Sequence, residues 1–357
     1  MVNIFLPTLS VGFWARENTW GNGAVKMPAY TVAVHQPFNP NRSLPFPNDL
    51  KYGEDRIFLY NSISAPGIIY SLNLETNELE IEGYYKDPFL MLCMFTNKTV
   101  TDAASWTTTG TIVGNFSVAT YKDSLMYQFH GDNPGDDNED IDKTFLGGEI
   151  TKYKVSYETG KLLTENVTIK FMNRVDGSQD YYDNSDFDDG AFANWDDGAP
   201  FHSTECSIEW GGSAILGIAI EKATLESNTP KEQKHIASSR VAAIPWEGKR
   251  ETTCTVEGYL TSEDQIEQIE KLYADKTKQT LEFIYNDANG TEERKWQFTL
   301  GYISDHQIDG IPEAGNPVKV KMVISQGEGS AFSYSGKFTD HVDPYKAAPR
   351  RINCVDR

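Results

Sequence analysis

Four segments of this chain recur in the same order in its first and second halves, and that order constrains the fold more than any single motif. Residues 9–21 (LSVGFWARENTWG) parallel residues 215–227 (ILGIAIEKATLES), both running from small apolar residues into an acid and then Thr. Residues 78–84 (ELEIEGY) parallel 253–259 (TCTVEGY), and 124–130 (SLMYQFH) parallel 280–286 (TLEFIYN). Residues 145–171 parallel 298–322, each opening on Phe and reaching Gly within four positions. A chain built this way is expected to be two tandem copies of one domain.

Within these segments apolar and polar residues alternate, the signature of half-buried strands. Leu79, Ile81 and Gly83 share one face, as do Leu281, Phe283 and Tyr285, and Val318, Val320 and Met322. Gly160 and Gly315 stand between paired runs, where a reversing turn belongs. A helix follows each EGY. In the second half Ser262 and Gln265 form a capping box ahead of the apolar stripe Ile266, Ile269, Leu272 and Tyr273. In the first half Asp87 and Pro88 open a helix whose residues 89–95 are apolar on every side. A helix without a polar face is buried all round, so its outer side is expected to meet another domain or subunit. Phe89, Leu92 and Phe95 are therefore candidate subunit-interface residues.

Spacing between matched segments locates the insertions. The first half is longer between its first two segments, and the excess falls in a Pro-rich stretch, residues 26–66, which reads as an extended arm. Phe38, Phe46 and Phe58 on that arm need burial that it cannot provide for itself. They complete the set of candidate interface residues, with the arm reaching a neighbouring subunit. The Asp- and Gly-rich residues 176–198 separate the copies. The resulting division is a first domain at 1–177, an acidic linker at 178–204, a second domain at 205–340 and a tail at 341–357. The fold class is mainly β, a β-sandwich or distorted barrel with a flanking helix.

Composition narrows the chemistry. With 52 acidic and 32 basic residues the formal net charge is −20, and such a surface repels phosphate, so specific nucleic-acid binding is not expected. No stretch reaches the roughly 20 apolar residues of a membrane-spanning helix. The longest apolar candidate, residues 214–220, is strand-sized. The N-terminal residues lack a secretory pattern. Cys93, Cys206, Cys254 and Cys354 lie far apart, with no CxxC and no His at zinc spacing, so neither a disulfide framework nor a zinc site is expected.

Asp183, Asp186, Asp188 and Asp189 resemble a calcium loop, but counted from Asp186 the required Gly at position 6 falls at 5, and position 12 is Asp197 rather than Glu. A solvated acidic linker is the simpler reading. The six His residues stand apart from any nucleophile or metal partner, and no GxSxG, HExxH or P-loop occurs. The chain is read as a non-enzyme, with no catalytic, metal or cofactor-binding residue assigned and no cofactor.

The order of elements (a strand with an acidic-Thr end, a long loop, a strand ending EGY, a helix, paired strands) resembles the tail tube domain of long-tailed bacterial and archaeal viruses. The run ARENTWGNG at residues 15–23 looks like the Glu-Thr-x-x-Gly opening of such proteins. The resemblance implies a structural virion protein with tandem tube-like domains, located in the virion tail and assembled in the host cytoplasm. Its partners would be further copies of itself, stacked as rings, together with other tail proteins. Viral DNA would pass through the lumen without specific binding. Tube rings in the family are commonly sixfold, so three two-domain chains would complete a pseudo-hexameric ring; six chains are the alternative. Two other classes remain open: a carbohydrate-active β-sandwich enzyme, and a calcium-stabilised surface or adhesion protein.

Replacing Asp183, Asp186, Asp188 and Asp189 by Asn should leave the melting temperature and assembly unchanged. A large loss of melting temperature, reproduced in the natural chain by a chelator, would instead identify a structural cation.

Overall fold

The computed structural model describes residues 9–16, 34–35, 54–58, 68–72, 77–85, 91, 94–95, 97–101, 110–115, 125–132, 141–171, 173–176, 202–235, 242–247, 250–286, 293–309, 317–338 and 350–354. The first half contributes β1 (Leu9–Arg16), β2 (Val34–His35), β3 (Glu54–Phe58), β4 (Ile68–Leu72), β5 (Asn77–Tyr84), β6 (Asn97–Thr101), β7 (Gly110–Asn115), β8 (Leu125–Asp132), β9 (Ile141–Glu158), β10 (Thr164–Phe171) and β11 (Asn173–Asp176). The second half contributes β12 (Cys206–Trp210), β13 (Ala219–Asn228), β14 (Lys231–His235), β15 (Ala242–Glu247), β16 (Glu251–Tyr259), helix α1 (Asp264–Asp275), β17 (Gln279–Asn286), β18 (Glu293–Asp309), β19 (Lys319–Gln326), β20 (Phe332–Phe338) and β21 (Arg350–Cys354). The fold is mainly β, as the alternating pattern required. Pairing among these strands is antiparallel, with β2 and β21 the parallel exception.

Two long strands organise the sheets. The first part of β9 pairs with β8 and β11, and its second part with β10 and β13. The first part of β18 likewise pairs with β17 and β20, and its second part with β19. Each strand bends at a left-handed residue, Gly147 at φ 68° and Leu300 at φ 55°. The glycine that follows is held close by an aromatic ring. A Cβ on Gly148 would lie 2.5 Å from the Phe171 ring, and one on Gly301 would lie 2.6 Å from the Phe298 ring. Six residues past its opening Phe, each strand carries a bulged hydroxyl residue. The Thr151 Oγ1 donates to the Thr168 carbonyl at 3.3 Å, and the Ser304 Oγ donates to the Val323 carbonyl at 3.1 Å. The extra residue lets the strand change twist without losing its apolar face.

The remaining pairings of the two halves run in the same order. β5 pairs with β10, placing Gly83 opposite Glu165, and β16 pairs with β19, placing Gly258 opposite Val320. Directly after EGY the Tyr85 N–H donates to the Leu163 carbonyl, and the Leu260 N–H donates to the Val318 carbonyl, each at 3.0 Å. β1 pairs with β8, placing Trp14 opposite Tyr127, and β12 pairs with β17, placing Trp210 opposite Leu281. Hairpins β3–β4 and β14–β15 precede β5 and β16.

Several expectations need correction. β1 pairs with β8 as β12 pairs with β17, whereas the segment at 215–227, matched to β1 by composition, opens in a turn. Residues 215–217 form a 3-10 turn with Leu216 at φ 48° and Gly217 at φ 68°, so the apolar run at 214–220 is a turn leading into β13 rather than one strand. Within the proposed arm at 26–66, residues 54–58 form β3, which pairs with β4 of the same chain and places Phe58 opposite Ile68. β-branched and aromatic residues in both strands favour that hairpin.

Helix α1 forms where expected, but its cap differs. Glu263 takes the N-cap position without a side-chain bond. The Gln265 Oε1 accepts from the Thr261 and Ser262 N–H groups at 2.7 and 3.2 Å, while its Nε2 donates to the Leu216 carbonyl at 2.7 Å. Gln265 thus ties the helix start to the turn before β13, which is why a polar residue is buried there. Ile269 is buried, and Leu272 and Tyr273 pack against the core.

The EGY glycine is fixed by close approach. A Cβ on Gly258 would collide with the Ala219 carbonyl and lie 3.0 Å from Ile218 Cγ2 and from Ile220 Cα. Gly258→Ala should destabilise by about 1–3 kcal/mol through this overpacking, read as a lower urea midpoint at unchanged m-value. Gly160→Ala, at φ 80° with open space around it, should cost only about 1 kcal/mol.

Candidate assembly interface

The two halves are joined by strand exchange. β13, from the second half, lies between β9 and β16, so one sheet runs β5–β10–β9–β13–β16–β19–β18 through both. In the other direction β7, from the first half, adds to β20, and β6 adds to β7. The C-terminal strand β21 returns to pair with β1.

Beneath these strands an aromatic cluster unites the halves. The Tyr85 and Tyr334 hydroxyls are 2.8 Å apart, and the Tyr85 ring meets Trp296 edge-on at 5.0 Å. The Trp296 Nε1–H donates to the Met91 Sδ at 2.9 Å. The Arg294 side chain is buried alongside, its Nη1 donating to the Lys337 carbonyl at 2.6 Å and to the Glu293 carbonyl at 3.1 Å. Desolvation, followed by the neighbouring Tyr334, holds the Tyr85 hydroxyl well above the ordinary tyrosine range; desolvation and then Glu165 do the same for Tyr153.

The apolar first-half helix therefore does meet another part of the molecule. Met91 and Met94 are helical, and Met91, Met94 and Phe95 are buried. Phe95, expected at a subunit interface, packs on Phe332 of its own chain at 5.7 Å, which removes its ring from any surface. Phe58 lies in β3. Phe38, Phe46, Phe89 and Leu92 fall outside the described residues, as do the four Asp residues of the linker at 178–204 and Gly315.

The open face of the shared sheet is polar along its length. Lys152 on β9 pairs with Glu226 on β13 at 3.3 Å, and Lys321 on β19 pairs with Glu257 on β16 at 3.0 Å. Ser156 and Thr224 bring their hydroxyls to 3.3 Å across the β9–β13 joint, and the Asn166 Nδ2 donates to the Glu80 Oε1 at 2.7 Å. Exposed pairs of this kind add little stability. Their effect is on the surface, because Lys152 and Lys321, each with a carboxylate within reach, present less free positive charge to a polyanion.

Other chemistry is muted. Cys206 and Cys254 are free thiols, and burial pushes Cys254 up to about 12 and Cys206 higher still, which suppresses the nucleophilic thiolate. A cavity of about 960 Å³ at the end of the sheet is lined by Arg250, Thr252, Tyr302, Gln326, Glu328 and Phe332. Among the described residues no group of three or more His, Cys, Asp or Glu converges as a metal site.

No protein-family model and no curated protein matches the chain. Among solved structures it is similar to a chain in the tail of an empty gene transfer agent particle with C6 symmetry, at 10% identity and a TM-score of 0.27. It is also similar to a chain in the virion of a native gene transfer agent particle, at 12% identity and a TM-score of 0.25. The matched regions cover 36% and 37% of this chain and 96% and 97% of those chains. Likeness at this level carries no functional argument, which leaves the sheet itself to supply one.

Trp296→Ala should cost about 3–5 kcal/mol, because it empties the joint between the halves. Tyr85→Phe should cost about 1–2 kcal/mol by leaving the Tyr334 hydroxyl without this partner. Stability should also depend on alkali. The folded-state values of Tyr85 and Tyr153 are raised, so their contribution is complete below about pH 10 and falls as pH rises and the unfolded chain ionises first. Denaturant midpoints between pH 9 and 11 should fall less steeply in Tyr85→Phe than in the natural chain.

Proposed function

We propose that this chain is a structural subunit of a viral tail tube, two tandem tube-like domains that assemble into rings around a channel. The observation that carries the reading is the sheet shared by both halves, buried on one face, polar on the other, and built from two sets of strands paired in the same order. A catalytic domain has little use for such a surface, whereas a conduit needs a continuous wall that does not adhere to its cargo. The net charge of −20 and the lysine–carboxylate pairing of the open face suit passage of a polyanion without specific binding.

The two-copy reading is supported by the bends at Gly147 and Leu300 and by the bulged hydroxyls of Thr151 and Ser304. The dimensions also agree. Three chains contributing seven strands each, at about 4.8 Å spacing and roughly 40° tilt, close at a backbone diameter of about 42 Å. Subtracting about 5 Å of side chain per wall leaves roughly 32 Å, wide beside the roughly 12 Å major groove of a duplex. A trimer of two-domain chains is the favoured ring, and a hexamer the alternative.

Electron microscopy and native mass measurement of the purified full chain should show rings or tubes built from three chains per ring. A hexamer of full chains would replace the trimer and leave the tube reading standing. A protein that stays monomeric at all concentrations, with no ring or tube, would overturn it.

A further inference from the structure

The two halves differ at one turn, and the difference lies beside a cavity. β11 and β20 each pair with the first part of a long strand, placing Arg174 opposite Phe145 and Phe332 opposite Phe298. A single residue separates β10 from β11, whereas residues 327–331 separate β19 from β20. In the first half the Phe171 ring covers Gly148. In the second, Gln326 stands opposite Gly301, an amide where the first half has an aromatic ring. The longer turn borders the cavity of about 960 Å³.

Hydrogen bonds hold this turn to the bend in β18. The Gly327 N–H donates to the Leu300 carbonyl and the Ala331 N–H to the Thr299 Oγ1, each at 3.0 Å. The Ser330 hydroxyl donates to the Thr299 carbonyl, and the Gln326 Nε2 donates to the Ser330 carbonyl at 3.0 Å. Leu300 keeps its φ of 55° within this set of bonds. A left-handed leucine persists only where its surroundings over-determine it, and such strain gathers where a site is preorganised. On another wall Arg250 is fixed through its Nε, which donates to the Thr229 Oγ1 at 3.0 Å.

The lining is chemically mixed. Phe332 and the half-buried Tyr302 supply flat apolar surface. Arg250 and the Tyr302 hydroxyl supply donors, while Glu251, Glu328 and the Gln326 Oε1 supply acceptors. Two carboxylates beside one guanidinium disfavour an anionic ligand. A purely apolar ligand would strip water from these groups and leave them unbonded. A neutral ligand with one apolar face and many hydroxyls meets both demands.

We propose that this cavity binds a neutral oligosaccharide, one sugar ring packing its C–H face on Tyr302 while its hydroxyls bond to Gln326, Glu328 and Arg250. The volume falls within the roughly 300–1,000 Å³ of small-molecule sites and exceeds what a single sugar ring requires. A tube wall needs neither the longer turn nor the cavity, so this site stands whether or not the chain forms rings.

Saturation-transfer NMR on the purified full chain with maltotriose, cellotriose and chitotriose tests the site, followed by titration of each sugar that responds. At least one of the three should bind with millimolar affinity or better, and inorganic phosphate should not displace it. Tyr302→Ala should weaken that affinity by about 10-fold through loss of the ring contact. Glu328→Ala, on the exposed turn, should weaken it by about 3-fold or more at an unchanged melting temperature. No response from any of the three sugars, displacement by phosphate, or full affinity in folded Tyr302→Ala would overturn the assignment. If Tyr302→Ala fails to fold, unchanged affinity in Glu328→Ala overturns it instead.

Discussion

A strand that belongs to two sheets must turn without losing its apolar face, and β9 and β18 both meet this constraint. Each bends at a left-handed residue and then takes up one extra hydroxyl-bearing residue whose side chain bonds to the partner strand's backbone. The bend sends the first part of the strand to one sheet and the second part to another. The bulge resets the twist so that Tyr153 and Val155 of β9 still enter the core, and Ile308 of β18 packs against it. At Gly147 the left-handed conformation is nearly free of strain, whereas Leu300 adopts it at a steric cost of about 1 kcal/mol. Leu300 is also the exposed large apolar side chain among the described residues, at 38%. The bend is kept at that position despite an ill-suited residue, which shows how strongly the two sheets require it.

From this bend follows the exchange between halves. Once the second part of β9 is turned away from β8, its edge is free to receive β13, and the sheet continues into the second half. β7 reciprocates by covering β20. Neither half buries its core alone: Trp296 of the second half rests on Tyr85 and Met91 of the first. Strands from either side of residue 205, where spacing suggested a division, thus pair with one another.

The same geometry separates the roles of the two sheet faces. The inner face carries the apolar alternation and the aromatic cluster, where nearly all the burial free energy arises. The outer face carries paired lysines and carboxylates that contribute little to stability but set what the surface repels. The face shared by β9, β13, β16 and β19 is thus polar and carries paired charges.

Much of this was legible in the sequence. Alternation fixed the strands, because a sheet with one wet face imposes a period of two on its residues. The two EGY segments are both strand ends, with Gly83 opposite Glu165 on β10 and Gly258 opposite Val320 on β19. The apolar helix near Met91 announced a second partner because no polar face was left for water. Other features were decided only by tertiary structure. That β1 pairs with β8, and β12 with β17, is set by strands distant in sequence and not by the composition of two short segments. Phe95 lies within its own chain because β20 is near, a fact about distant residues that local pattern does not encode. The insertion of β13 between β9 and β16 arises from the bend in a long strand. In sequence that bend is only a Gly in one half and a Leu in the other, and the space around it decides that both turn the same way.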